Sequence, residues 1–450
     1  MGTGAGHFKG GVHPSYRKDG TSAVAIEALE PPSTVVIPLQ QHIGAPCTAL
    51  VKAGDEVRTG TRVGQAEAFV SAPVHATISG KVKSVGPQPH PAGISVAAVV
   101  IESDGTDTWE DREPNDPDTL SPEELKVLVR EAGIVGLGGA TFPTHVKLSP
   151  PAEKPIDTLV INGAECEPYL TADHRIMVEH PGGILKGASI LAKILGVSRI
   201  IVGVEGNKPD AIAALKDSAK GSADIVTLPV EYPQGAEKQL IKALLNREVP
   251  PPPPGLPMDV GVVVQNVGTC LAIKEAVCDG KALVERVVTV SGSGITKPAN
   301  LRVRIGTPFS TLAEACGGMK DGVVRVLMGG PMMGIAQHGL EPPVIKGTSG
   351  LLFLRKDEIN AGPERGCIRC GRCVRACPMI LSPQTIVLYA RNKLFEKAEQ
   401  WRALDCIECG CCSWSCPSSI PLVQYIRYAK GQIVSAKRRQ KEMEGAASTA

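Results

Sequence analysis

Cys367-Ile368-Arg369-Cys370-Gly371-Arg372-Cys373-Val374-Arg375-Ala376-Cys377-Pro378 and Cys406-Ile407-Glu408-Cys409-Gly410-Cys411-Cys412-Ser413-Trp414-Ser415-Cys416-Pro417 are two copies of one run, and nine of the chain's fourteen cysteines lie in them. Three thiolates two residues apart can hold three corners of an iron-sulfur cube, and the fourth, followed by Pro, reaches the cube of the other run. The expected ligand sets are Cys367, Cys370, Cys373 and Cys416 for one 4Fe-4S cluster, and Cys406, Cys409, Cys412 and Cys377 for the other. Zinc uses two separated pairs instead. The spacing therefore points to two clusters and one-electron transfer. Cys411 breaks the second run and is read as a bystander, as are Cys47, Cys270, Cys278 and Cys316.

Composition bounds the setting. The 450 residues are enough for about three or more domains, and 48 basic against 46 acidic side chains leave a net charge of +2, with no case for nucleic acid. No apolar stretch reaches the roughly eighteen residues of a membrane helix, and the start lacks a charged-then-apolar leader. The expectation is a soluble chain that is not exported, kept in a reducing compartment. Pro250 to Pro254 read as a stiff spacer.

Residues 35 to 101 read as all-β, with short runs such as Val35 to Ile37, Ala68 to Val70 and Val96 to Ile101 broken by Gly and Pro. The segments Val51 to Val63 and Ser71 to Gly80 resemble the flattened barrel of biotinyl and lipoyl carriers. Ala72-Pro73 stand where the modified Lys would be, so an interaction or spacer role is expected. Residues 102 to 120 read as a linker.

Ser121, Pro122 and Glu124 mark a capped helix start, and Gly133 its stop. Apolar runs at 158–161, 200–204, 225–230 and 260–264 then alternate with helical stretches at 182–195, 209–219, 235–246 and 268–278. That alternation predicts an α/β domain with a largely parallel sheet. Residues 287 to 318 read as a smaller α+β unit. The last twenty residues, with Lys437, Arg438, Arg439 and Lys441, read as a frayed, solvated basic tail, a weak attraction to anionic lipid being the lesser alternative.

Four polar loops sit at strand-helix junctions of the α/β domain. Gly133 to Lys147 is glycine-rich and lets backbone amides approach a phosphate or a flat ring. Asn162-Gly163-Ala164-Glu165-Cys166-Glu167-Pro168 follows the strand 158–161, where open α/β sheets bind ligands. Tyr232 to Lys238 and Gln265 to Thr269 place Gly and polar groups before helices.

The loop ending Phe-Pro-Thr-x-x-Lys, the Asn-x-x-Glu-x-Glu-Pro turn and the later Asn-Val-x-Thr turn resemble the FMN and NADH site of the flavoprotein subunit of respiratory complex I. With the double cysteine run, His7 to Pro14, Gly329 to Gly334 and Ile420 to Tyr425, the chain resembles more closely the C component of Rnf electron-transport complexes. The resemblance implies a multidomain α/β and α+β chain. It divides into an N-terminal extension (1–34), a barrel-sandwich hybrid domain (35–105), a Rossmann-like FMN and NAD(H) domain (121–285), a β-grasp domain of the soluble-ligand-binding type (286–355), a double-cluster ferredoxin domain (360–430) and the tail (431–450).

By the same resemblance Gly136, Gly138, Gly139 and Lys147 cradle FMN, and Asn162, Glu165, Asn266 and Thr269 hold its ribityl and phosphate parts. Phe142, Glu167 and Glu237 receive the nicotinamide nucleotide, with Gly235 in the same loop. Val135, Leu137 and Ala164 depart from complex I, whose four-cysteine site is also missing. A flavin belongs between a two-electron hydride donor and one-electron clusters. The implied function is a peripheral NAD(H)-reactive subunit of an ion-translocating ferredoxin:NAD oxidoreductase, on the cytoplasmic face of the inner membrane. Its partners would be the other subunits, including an iron-sulfur subunit that exchanges electrons with ferredoxin. A soluble cobalamin reductase of bacterial microcompartments, a non-catalytic electron wire or scaffold, and a hydrogenase or formate-dehydrogenase diaphorase subunit are the other readings.

Overall fold

The computed structural model describes residues 6–252, 255–359 and 362–448. Part of the predicted proline spacer, Pro253-Pro254, lies outside the described residues, as does the side chain of Lys441.

β1 (Ile26–Ala28) lies in the stretch read as an extension. β2 (Thr34–Pro38), β3 (Thr48–Ala49), β4 (Glu56–Val57), β5 (Arg62–Gln65), β6 (Val74–His75), β7 (Gly80–His90) and β8 (Ile94–Ser103) follow, in two antiparallel sheets ordered β2-β8-β7-β4 and β3-β5-β6. Val35 and Ile37 alternate inward along β2 and meet Val63, Val74, Val99 and Ile101 in one core. Ala68-Phe69-Val70 is not a strand. It is a bend whose carbonyls are taken elsewhere: Val70 accepts from the Ala45 amide at 3.0 Å and Phe69 from His145 Nε2 at 2.9 Å. Ala72 and Pro73 are buried, and the Pro73 carbonyl accepts from Lys346 Nζ at 2.8 Å. The turn where carriers bear their swinging group is thus closed by packing.

The central domain opens with α1 (Pro122–Glu131), which has the reciprocal Ser121–Glu124 capping box. α2 (Thr144–Lys147) is a single turn. β9 (Thr158–Gly163), α3 (Ala172–Glu179), α4 (Pro181–Leu195), β10 (Arg199–Glu205), α5 (Pro209–Ala219), β11 (Asp224–Leu228), α6 (Glu237–Leu245), β12 (Val262–Asn266) and α7 (Val267–Cys278) complete it. The sheet β11-β10-β9-β12 is parallel throughout; β9, β10 and β12 are buried along nearly their whole length, whereas the edge strand β11 exposes Asp224 and Thr227. The chain steps outward from β9 to β11 and then returns to the other flank of β9. Between β9 and β12 lies the switch in direction, the place where such sheets open a crevice. Asn162 and Asn266 are register partners there.

β13 (Glu285–Ser291), β14 (Ala299–Arg304), α8 (Phe309–Ala315), β15 (Val323–Met328), β16 (Ile335–Gln337) and β17 (Gly350–Arg355) form the grasp unit. Its sheet runs β1-β14-β13-β17-β15-β16, so residues read as an extension supply an edge strand, with Ile26 opposite Asn300. Phe309 and Leu312 of α8 fill the core under the sheet.

α9 (Arg372–Arg375), α10 (Pro383–Arg391), α11 (Phe395–Gln400), α12 (Cys411–Trp414) and α13 (Leu422–Ser448) make the C-terminal unit. The predicted frayed tail is wrong, because α13 runs through it. Good helix formers and the Arg438–Glu442 pair at i, i+4 favour that helix, and Lys437 pairs with Glu399 of α11.

Candidate functional site

The glycine loop is a five-residue turn closed by the Thr141 amide on the Gly136 carbonyl at 3.1 Å and the Gly136 amide on the Phe142 carbonyl at 2.9 Å. Gly138, Gly139 and Ala140 are exposed, and among the described residues their amides donate to no protein acceptor. Gly139 has φ +103°, a conformation that strains any side chain, and a Cβ on Gly138 would stand 3.5 Å from Asn266. The loop is held from below. Leu137 donates its amide to Thr269 Oγ1 at 2.9 Å, and its carbonyl accepts from the buried Arg286 at 3.4 Å. Phe142 is half-buried at the end of the loop.

Asn266 caps α7, its Oδ1 taking the amides of Gly268 and Thr269 at 2.9 and 3.2 Å, and its Nδ2 donates to Asp173 at 2.7 Å. Asn162 donates to the Gly235 carbonyl at 2.8 Å and accepts from the Ala164 amide. The Glu165 carboxylate takes the first amides of α3, those of Asp173 and His174, at 2.7 and 3.1 Å. Burial and the charge of Glu165 push the Asp173 carboxyl well above its ordinary range. Lys18 enters from the N-terminal segment, buried, and donates to the Glu165 and Leu170 carbonyls. Thr269, Glu165 and Asn162 therefore shape the crevice through protein contacts. Lys147 Nζ bridges Glu237 at 2.7 Å and the Val264 carbonyl at 3.2 Å, with both side chains still partly exposed.

Glu167 turns the other way. Its two oxygens accept from the Met332 and Met333 amides at 3.0 and 2.9 Å, and burial pushes its carboxyl up to about 7. The Cys166 thiol accepts from the Gly235 amide at 3.2 Å, and burial drives it upward as well. Lys18, Asp173 and Arg286 carry no local sequence signal for these places, since each is brought in by tertiary contact.

In the C-terminal unit, cysteines of the two runs come near one another: Cys377 to Cys406, Cys409 and Cys412, and Cys373 to Cys416. The Cys406 and Cys412 thiols are raised by burial, and then by the charge of neighbours that include Cys409 and Cys377. Cys377 comes from the other run. The Cys373 thiol, likewise raised chiefly by burial, lies near Cys416. Thiols gathered in an apolar recess resist ionisation unless a cation joins them, which is what iron would supply. Among the described residues no three His, Cys, Asp or Glu side chains close on a single-ion site. Thiolates that each bind a separate corner of a cube need not do so. Cys409 and Cys412 are buried, whereas Cys367 and Cys370 are exposed. Val12, Cys166, Tyr232, Ala376, Cys409 and Cys411 pack as one apolar cluster where the central and C-terminal units meet.

Among the described residues no helix is long and apolar enough to cross a membrane. Residues 129–275 match the Nuo51 FMN-binding domain, residues 6–106 the RnfC barrel sandwich hybrid domain, residues 287–336 the SLBB domain and residues 360–417 a 4Fe-4S dicluster domain. The chain thus carries an FMN-binding domain and a two-cluster domain, and the glycine loop and paired cysteine sets fit those groups. A solved NAD+-reducing NiFe-hydrogenase in its H2-reduced state aligns with TM-score 0.49 and 17% identity over 72% of this chain and 63% of that one. The C component of the proton-translocating ferredoxin:NAD(+) oxidoreductase complex of Clostridium ljungdahlii is 50% identical over 88% of each chain. The C component of the Na(+)-translocating complex of Acetobacterium woodii is 46% identical over 89% of this chain and 91% of its own. With identity of that order across nearly the whole length, the chain belongs to the RnfC family, the C components of ion-translocating oxidoreductase complexes.

Proposed function

We propose that the chain is the NAD(H)-reactive subunit of a ferredoxin:NAD oxidoreductase complex, docked peripherally on the cytoplasmic face of the inner membrane. The observation that carries this reading is the adjacency of the β9–β12 crevice to one cysteine set: loops at the carboxyl ends of its sheet, through Cys166 and Tyr232, pack directly on Cys409 and Cys411. FMN would rest on the amides of Gly138, Gly139 and Ala140, with Gly136 closing the turn and Asn162, Asn266 and Thr269 fixing the walls. Lys147 stands ready to offset negative charge, and Phe142, Gly235 and Glu237 border the nucleotide's approach. Bound there, a flavin supplies the conversion between hydride and single electrons.

Cys406, Cys409, Cys412 and Cys377 would hold the inner cluster, and Cys367, Cys370, Cys373 and Cys416 the outer one, whose first two cysteines face solvent. That exposure favours the outer cluster as the exchange point with a partner iron-sulfur subunit. The test is anaerobic NADH-to-viologen turnover by the purified chain, with flavin and iron content measured in parallel, and pull-down from solubilised membranes. Flavin-free protein without turnover would overturn the reading, and recovery without membrane partners would remove the complex from it.

A further inference from the structure

We propose that Glu167 is a positioning residue, a latch that holds the grasp-domain turn Gly329 to Gly334 against the Cys409–Cys412 loop and so fixes the inner cysteine set on the central domain. This deepens the functional reading above and rests on it only for the electron-passage readout.

Each Glu167 oxygen accepts from one backbone amide, Met332 at 3.0 Å and Met333 at 2.9 Å, and the Tyr232 hydroxyl lies within hydrogen-bonding reach of the same carboxyl. The turn lies directly on the carboxylate. A Cβ on Gly330 would stand 2.2 Å from Oε2 and 2.5 Å from Cδ, so only glycine fits. The Gly334 amide closes the turn on the Gly330 carbonyl at 2.9 Å. On its far side the Met332 carbonyl would meet a Cβ on Gly410 at 2.7 Å, and the Met332 side chain packs against the apolar cluster that holds Cys166, Tyr232, Cys409 and Cys411. Glu167, the turn and the cysteine loop are therefore three layers in contact. Each comes from a different unit of the chain. The turn is the grasp unit's contribution to the junction, and the carboxylate sets where it lies.

The test uses the full chain, purified anaerobically, as wild type, Glu167→Ala, Glu167→Gln and Gly330→Ala. Hydrogen exchange of peptides covering 329–334 and 406–412 reads the latch without any nucleotide. Stopped flow with NADH separately reads flavin bleaching and cluster reduction. In Glu167→Ala, exchange in both segments should rise about tenfold and cluster reduction should slow by about as much, with flavin bleaching within about twofold of wild type. Gly330→Ala should reproduce this although Glu167 is intact, and Glu167→Gln, which keeps one acceptor oxygen, should fall between. Unchanged exchange in Glu167→Ala and Gly330→Ala would overturn the latch. So would a selective rise in KM for NADH with normal cluster reduction, which would make Glu167 a nucleotide ligand. A wild type inert to NADH would instead defeat the functional reading, leaving the exchange result to decide the latch.

Discussion

Tyr232 donates its hydroxyl to the Cys409 carbonyl at 2.8 Å, inside a contact from which water is excluded. The bond ties a loop of the α/β domain to the middle of a cysteine run. Tyr232→Phe removes the donor and leaves a buried carbonyl unpaired, a loss of about 1 to 3 kcal/mol. Anaerobic release of iron to a chelator should accelerate accordingly, and an unchanged rate would show that the junction is held by packing alone.

Cys377 follows the first cysteine run in sequence but sits among Cys406, Cys409 and Cys412 in space. Cys377→Ser should therefore disturb the cluster of the second run. EPR of the reduced protein distinguishes the two, and damage confined to the Cys367–Cys373 cluster would rule out the crossing.

Lys147 donates to the Val264 carbonyl of β12 and to Glu237. Lys147→Ala should weaken FMN retention roughly tenfold to a hundredfold, the size of one charge-assisted hydrogen bond of about 1.5 to 3 kcal/mol. Flavin per chain after dialysis measures it. Full retention would place the flavin's charge elsewhere.

Asp173 is an acid whose folded value is raised by burial and by Glu165. The fold therefore binds its proton more tightly than the unfolded chain does. The stabilisation is complete below the ordinary Asp value of about 3.9 and is lost as pH rises through the folded value. Asp173→Asn keeps an oxygen for the Asn266 amide and has no proton to lose. Urea midpoints taken between about pH 4 and pH 8 should fall less with pH in the variant than in wild type. Parallel curves would show that Asp173 does not carry the slope.

The α/β domain was legible because its strands and helices alternate with strong local patterns, and Ser121, Pro122 and Glu124 announce α1 without help. That Cys377 lies near Cys406, Cys409 and Cys412, and Cys373 near Cys416, was legible from spacing alone. α3 was not, because the amides at its start are satisfied by Glu165, eight residues upstream of Asp173, rather than by a neighbouring cap. β1 was missed because three residues have no period, and its partner is β14. The roles expected of Glu165 and Glu167 came from the family resemblance of their polar turn. Polarity could not say that Glu165 faces α3 while Glu167 faces a turn more than 160 residues away.

The N-terminal segment has a consequence for the order in which the protein can be made. Val12 bridges Tyr232, the Gly11 amide donates to the Ala376 carbonyl, and β1 pairs with Asn300 to Arg302. During synthesis these early residues leave the ribosome long before their partners exist. They must stay unpaired until most of the chain has followed, and their placement closes the fold rather than nucleating it.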